Sequence, residues 1–267
     1  MLQLPRRVGV PLVAWSVLNL CWFEYTGTHF DNWPAAILQA PVVPHLWYLY
    51  TLLGIYLFLP VLAGFFQIQN TGAQLLTVLC WFLGSSVAPL MYVFTGRVHV
   101  GLDWSFLPLY GGYVVVGALL FHKLPSTWLR LAPAAALWGI SSAAIAYLTW
   151  SHSLAVGRAD ETFYAYSSPF VITAAIGAFC FIRVFFVRLM QMSPSLSRLT
   201  IALSKSSFGI YLIHVLVIFW FDLNGLNYNF INAWLAIPVT VVAVLAGSTM
   251  LTMLLARIPY LRGIVPG

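Results

Sequence analysis

The chain has 267 residues, of which 61% are hydrophobic, 16% aromatic and only 7% charged, with a mean hydropathy of +0.91. Soluble domains carry about a quarter of their residues charged, so a water-soluble fold is excluded and an all-α, polytopic membrane helical bundle is expected. The formal charge of +6 does not point to nucleic acid, since no basic run exceeds Arg6-Arg7 and no polar surface is left to hold a patch.

Apolar runs able to cross a hydrocarbon core of about 30 Å follow one another from end to end, without the alternating ten-residue segments of an outer-membrane barrel. They predict about eight transmembrane helices: Val8 to Phe23, His45 to Phe66, Ala73 to Phe94, Ser105 to Phe121, Leu131 to Trp150, Ser168 to Val187, Ser206 to Phe221 and Phe230 to Ala256. The first run follows twin arginines but ends in Trp22, Phe23 and Glu24 rather than in small residues, so it reads as a retained helix and not as a cleaved leader. Charge supports the count. With both termini cytoplasmic, the inner ends and loops collect Arg6, Arg7, Lys123, Arg130, Arg188, Arg198, Lys205, Arg257 and Arg262. The outer loops hold Arg97 and Arg158 and all six acids, Glu24, Asp31, Asp103, Asp160, Glu161 and Asp222.

Inside the spans, Arg183 lies about one turn from the cytoplasmic end and is expected to snorkel toward water. Gly84-Ser85-Ser86, Gly111-Gly112, Ser141-Ser142 and Gly247-Ser248 suit close helix packing, and Pro60, Pro89 and Pro108 are candidate kinks. Cys21, Cys80 and Cys180 fall in apolar runs and read as small buried hydrophobes. No internal repeat is detected, and the chain reads as one transmembrane domain over residues 1–267.

Polar groups deep in a span are the informative ones, because the bilayer makes them expensive to bury. In SKSSFGIYLIHVLVIFW, nine helical residues beyond Lys205 put His214 about 13 Å deep. Ser207, Tyr211 and His214 share one helix face, and the imidazole can take and return a proton near neutral pH. The alternative is a neutral histidine satisfied by Tyr211 or a neighbouring helix. In HLWYLYTLLGIYLFLP, His45 opens a span with Tyr48 one turn below and Trp47, Tyr50 and Thr51 on an adjacent face. That cluster reads either as an interfacial aromatic belt or as an aromatic mouth for a sugar ring. His29, Asp31, His99, Asp103 and His152 lie in outer loops without the HxH, HxxxH or HExxH spacing of a metal site, so no metal is expected.

Together these two segments resemble acyltransferase family 3 of the membrane O-acyltransferases, in particular the branch similar to the enterobacterial common antigen O-acetyltransferase. The entrance motif falls on His45, Leu46, Trp47, Tyr48 and Leu49, and the late-helix motif on Ser207, Phe208, Gly209, Ile210, Tyr211, Leu212, Ile213 and His214. The resemblance implies transfer of an acyl group, usually acetyl from cytoplasmic acetyl-CoA, to a hydroxyl of a cell-envelope or lipid-linked glycan. It implies no bound cofactor, and as partners the bilayer of the bacterial inner membrane, acyl-CoA and a glycan acceptor, not nucleic acid. On it, His214, Tyr211 and Ser207 are candidate catalytic residues, and His45, Trp47 and Tyr48 face the acceptor. Trp33, Trp47, Trp104 and Asp103 are candidate acceptor contacts by position only, and their reading as interfacial-belt and loop residues is the stronger one.

Members of the family usually have about ten helices, the first with an arginine followed eleven positions later by a histidine thought to be the base. No arginine or lysine of this sequence has a histidine at that spacing. The family's two-arginine junction before its third helix aligns with PRRVGVPLVAWS, placing Arg7 at the second arginine, on the acyl-CoA side, and Leu4 at the first. The chain thus aligns with helices three to ten, and residues 1–267 alone are expected to support little or no turnover. Two other classes are an inactive remnant and a transporter or flippase. Against the last stands the placement of all six acids in outer loops or at helix ends, where they cannot couple ions at the midplane.

Overall fold

The structure, a computed structural model, describes residues 3–67, 70–97, 108–124, 127, 130–227 and 229–265, apart from the side chains of residues 3–6. Every regular element among them is helical. In chain order these are α1 (Gln3–Tyr25), α2 (Trp33–Gln39), a 3-10 turn (Pro44–Leu46) running into α3 (Trp47–Gln67), and α4 (Thr71–Phe82). A π-helical segment (Leu83–Val87) then leads into α5 (Ala88–Thr95), followed by α6 (Leu109–Lys123), α7 (Leu131–Val156), α8 (Pro169–Met192), α9 (Pro194–Leu223) and α10 (Ala233–Arg257). The expected polytopic helical bundle is what the sequence forms.

Seven spans among the described residues are long and apolar enough to cross a bilayer: Arg7–Tyr25, Pro44–Gln67, Thr71–Thr95, Leu131–Val156, Pro169–Met192, Pro194–Leu223 and Ala233–Arg257. The eighth expected crossing corresponds to α6, described over 15 residues, short of the about 20 that a crossing needs. Its expected start, Ser105, lies outside the described residues, as do His99, Asp103 and Trp104.

Local chemistry sets the helix ends. Asn32, Asn70 and Asn232 cap α2, α4 and α10, their side-chain oxygens accepting from the amides of Ala35, Ala73 and Trp234. The short α2 inside the outer loop was not expected from hydropathy, yet Asn32 and Pro34 form a start signal for it. Helix α9 begins at Pro194 rather than at Ser206, because nothing between Pro194 and Ser206 breaks a helix. Of the three candidate kinks, Pro60 lies inside α3. Pro108 is the N-cap of α6 and bends nothing. Pro89 follows the π-helical turn built on Gly84, Ser85 and Ser86, a wider turn that relieves the contact a proline ring makes with the carbonyl four residues earlier.

The chain divides into two compact units, residues 1–58 with 195–267, and residues 59–194. In the first, Val8, Leu12 and Trp15 of α1 pack with Leu46, Leu49, Leu212, Ile213 and Val217, and the Trp15 indole donates to the Ile264 carbonyl at 2.8 Å. Gly209 allows α9 to approach α10 closely: a Cβ there would lie 2.3 Å from Thr252 Cγ2. In the second unit α7 packs on α8, with Gly177 so near that a Cβ would lie 2.6 Å from the Trp138 backbone nitrogen, and Ser141 bonds Thr173 at 3.0 Å. This is the packing by small and hydroxyl-bearing residues that helices use in lipid, where apolar surface gives no drive of its own.

Two expectations about single residues are corrected. Arg183 does not snorkel free: its Nη1 donates to the Leu120 and Leu124 carbonyls, each at 2.8 Å, and the guanidinium lies 4.8 Å from the Phe121 ring. A helix ends in unpaired carbonyls with a partial negative charge, and Arg183 satisfies those of α6. Cys21 is exposed rather than buried, while Cys80 and Cys180 are half-buried.

Candidate functional site

The first unit brings the two sequence motifs together. His45 enters through the 3-10 turn Pro44–Leu46, where proline favours the tight turn, and His214 lies within α9. Their rings meet edge to face with centroids 4.9 Å apart. Tyr211, one turn before His214, holds the two segments in register, its hydroxyl donating to the His45 carbonyl. Its ring contacts those of His45 at 5.5 Å, Tyr48 at 5.9 Å and Phe208 at 6.2 Å.

Hydrogen bonding distinguishes the two imidazoles. His214 Nδ1 lies 2.6 Å from the Tyr211 carbonyl oxygen, an acceptor only, so Nδ1 carries a proton and donates. In the neutral ring this makes Nε2 the acceptor, and no partner for Nε2 is found among the described residues. Both ring nitrogens of His45 are buried and meet no partner at full hydrogen-bond geometry among the described residues, although the Leu212 backbone interacts with the ring. Buried polar atoms short of full hydrogen-bond partners are uncommon, and here two fall on one ring next to a tautomer-fixed imidazole.

The other expected site residues are distributed unevenly. Tyr48 is exposed and Trp47 is half-buried, their rings 6.1 Å apart at the entrance of α3. Ser207 does not join the pair; it is exposed, and its hydroxyl donates to the Ser204 carbonyl of its own helix. Arg7 is exposed in the first turns of α1, while the side chains of Leu4 and Arg6 lie outside the description. Trp33 opens α2, whose last turn is tied to α3 by the Tyr50 hydroxyl, which donates to the Ile37 carbonyl. Of the loop histidines, His29 pairs with Glu24 at 2.5 Å and His152 lies 3.7 Å from Asp160.

Two residues escaped the sequence reading. Ser16 and Asn19 are fully buried in α1, Asn19 Nδ2 donating to the Trp15 carbonyl at 2.8 Å; Asn19 Oδ1 has no partner among the described residues, and the Ser16 hydroxyl interacts with that of Tyr50. Their spacing of three within an apolar run was the signal that could have found them, as it found Tyr211 and His214.

A family model described as acyltransferase domain matches residues 6–253, a range that contains both motifs. The chain belongs to acyltransferase family 3. No curated protein and no solved structure matches it. Membership in acyltransferase family 3, together with the seven apolar helices, makes the chain a multi-pass membrane protein of the acyltransferase class.

Proposed function

We propose that this protein transfers an acyl group, acetyl in the first instance, from cytoplasmic acyl-CoA to a hydroxyl of a cell-envelope or lipid-linked glycan in the bacterial inner membrane. The observation that carries the proposal is the His45–His214 pair, with the His214 tautomer fixed and its Nε2 without a partner among the described residues. His214 Nε2 takes the proton as the acceptor hydroxyl attacks the thioester carbonyl. A carbon–oxygen bond forms, the carbon–sulfur bond breaks, and the departing thiolate receives the proton from His214. His45 donates an N–H to the oxyanion that develops between these steps. Tyr211 positions both rings. Trp47 and Tyr48 offer faces to a sugar ring, and Arg7 offers a cation to the coenzyme phosphates. The resemblance to the enterobacterial common antigen branch is the support for a glycan acceptor and for acetyl.

A second reading is a non-catalytic member of the family; the arginine–histidine spacing that the resemblance assigns as base is not found within residues 1–267. Labelled acetyl-CoA supplied to membranes holding the full chain decides between them. The first reading expects label in the glycan fraction, reduced about 10²- to 10⁴-fold by His214→Ala, the range for loss of a general base. Transfer that His214→Ala leaves intact would falsify the assignment of the base. No transfer at all supports the second reading.

A further inference from the structure

His214 also lines the wall of a second feature, a groove between α9 and α10 with a volume of about 620 Å³. Its walls are hydrocarbon, with Ile218 on α9 and Val241 and Leu245 on α10. The polar groups fall at two levels. Asp222 and Asn227 stand where the connecting segment begins, bonded to each other at 2.9 Å. His214 and Thr240 stand deeper, and the buried Thr240 hydroxyl is unpartnered. Counted inward from Asp222 on α9 and from the cap Asn232 on α10, each lies eight residues, or about 12 Å, along its helix. One level of the groove therefore holds the candidate base and, behind its wall, a buried threonine hydroxyl, with only hydrocarbon between that level and the polar rim.

We infer that this groove seats the hydrocarbon chain of the acyl group, its carbonyl at the level of His214 and Thr240 and its tail running toward Asp222, so that the donors accepted extend beyond acetyl to medium-length chains. This rests on the acyl-transfer reading. An acetyl group, at about 30 Å³ per water-sized group, fills about 100 Å³ and leaves most of the space vacant. At about 1.2 Å per bond in an extended chain, 12 Å accommodates roughly ten carbons. The alternative occupant, the tail of a lipid-linked acceptor, would bring its phosphate to the rim, where the Asp222 carboxylate repels it.

The test uses the full chain in phospholipid nanodiscs and decanoyl-CoA bearing a diazirine on its last carbon. Light is expected to label the stretches around Ile218 to Asp222 and Ala233 to Ile237. Decanoyl-CoA should displace the label at least tenfold better than acetyl-CoA, and hexadecanoyl-CoA no better than decanoyl-CoA although it partitions more strongly into bilayers. Val241→Trp fills the groove from a position already 59% exposed, so it leaves the packed core alone, and it should lower labelling at least tenfold. Labelling elsewhere only, labelling that survives Val241→Trp, or occupancy by a diazirine phospholipid that decanoyl-CoA fails to displace overturns the inference. Groove labelling in a protein without His214-dependent transfer overturns the acyl-transfer reading instead, leaving a chain-binding site.

Discussion

Gly209 lies inside the SFGIYLIH stretch and sets how closely α10 approaches the helix that carries His214. Alanine there would place a Cβ 2.3 Å from Thr252 Cγ2 and 2.9 Å from its Oγ1. Thr252 is 4% exposed and its hydroxyl donates to the Ser248 carbonyl at 2.7 Å, so it has little room to move. Rotating the threonine gives up that bond, worth about 1 kcal/mol net. Parting the helices instead costs about 1–3 kcal/mol, as overpacking generally does. Alanine returns up to about 1 kcal/mol through better helix propensity, leaving Gly209→Ala destabilised by up to about 2 kcal/mol. In a Thr252→Ala background the two nearest atoms are gone and only the Cβ of residue 252, 3.2 Å away, stays close, so the same change costs less, a coupling of about 1–3 kcal/mol. The assay is the unfolding midpoint of the four purified proteins in one detergent at one concentration. Equal losses for Gly209→Ala in both backgrounds would refute the reasoning, because the penalty would then not come from Thr252.

Replacing Arg183 by Met leaves the Leu120 and Leu124 carbonyls without their donor and is expected to lower stability by about 2 kcal/mol, read as a lower unfolding midpoint. Arg183→Lys should recover only part, since an ammonium cannot reproduce the planar fork. Gly177→Ala, whose Cβ would meet backbone rather than a movable side chain, is expected at the upper end of about 1–3 kcal/mol, without rescue at Trp138. Hydrogen bonds from Thr162 hold the Asp160 carboxyl below its ordinary value of 3.8, the Thr162 amide donating at 2.9 Å. A lowered carboxyl pKa contributes stability above the unfolded value and loses it as pH falls through the folded one. Hydrogen exchange at Thr162, corrected for its intrinsic pH dependence, should therefore show constant protection above pH 3.8 and less below it, and Asp160→Ala should remove that protection at neutral pH.

Much of the candidate site was legible because α-helical periodicity is local. The spacing of Tyr211 and His214 put them on one face, and a histidine deep in an apolar run marked itself as costly to bury. The same periodicity included Ser207 and could not exclude it, since whether a hydroxyl turns to its own Ser204 carbonyl is decided by the rotamer and by what lies across from it. Ser16 and Asn19 were overlooked although they follow the same rule. They lie in an apolar run, and packing is what shows them fully buried.

Sequence alone determined that this protein crosses a membrane several times and the approximate position of most of its long helices, because the cost of unpaired backbone in lipid leaves a long apolar run no other form. It also established the pairing of two motifs that resemble an acyltransferase family, a resemblance the family match bears out. Only the tertiary structure decided that His45, 169 positions before His214 in the sequence, meets it ring against ring. A tyrosine hydroxyl reaching the His45 carbonyl holds that contact in register. Such contacts are set by how side chains fill the space between helices, and hydropathy along one strand of sequence does not encode that filling.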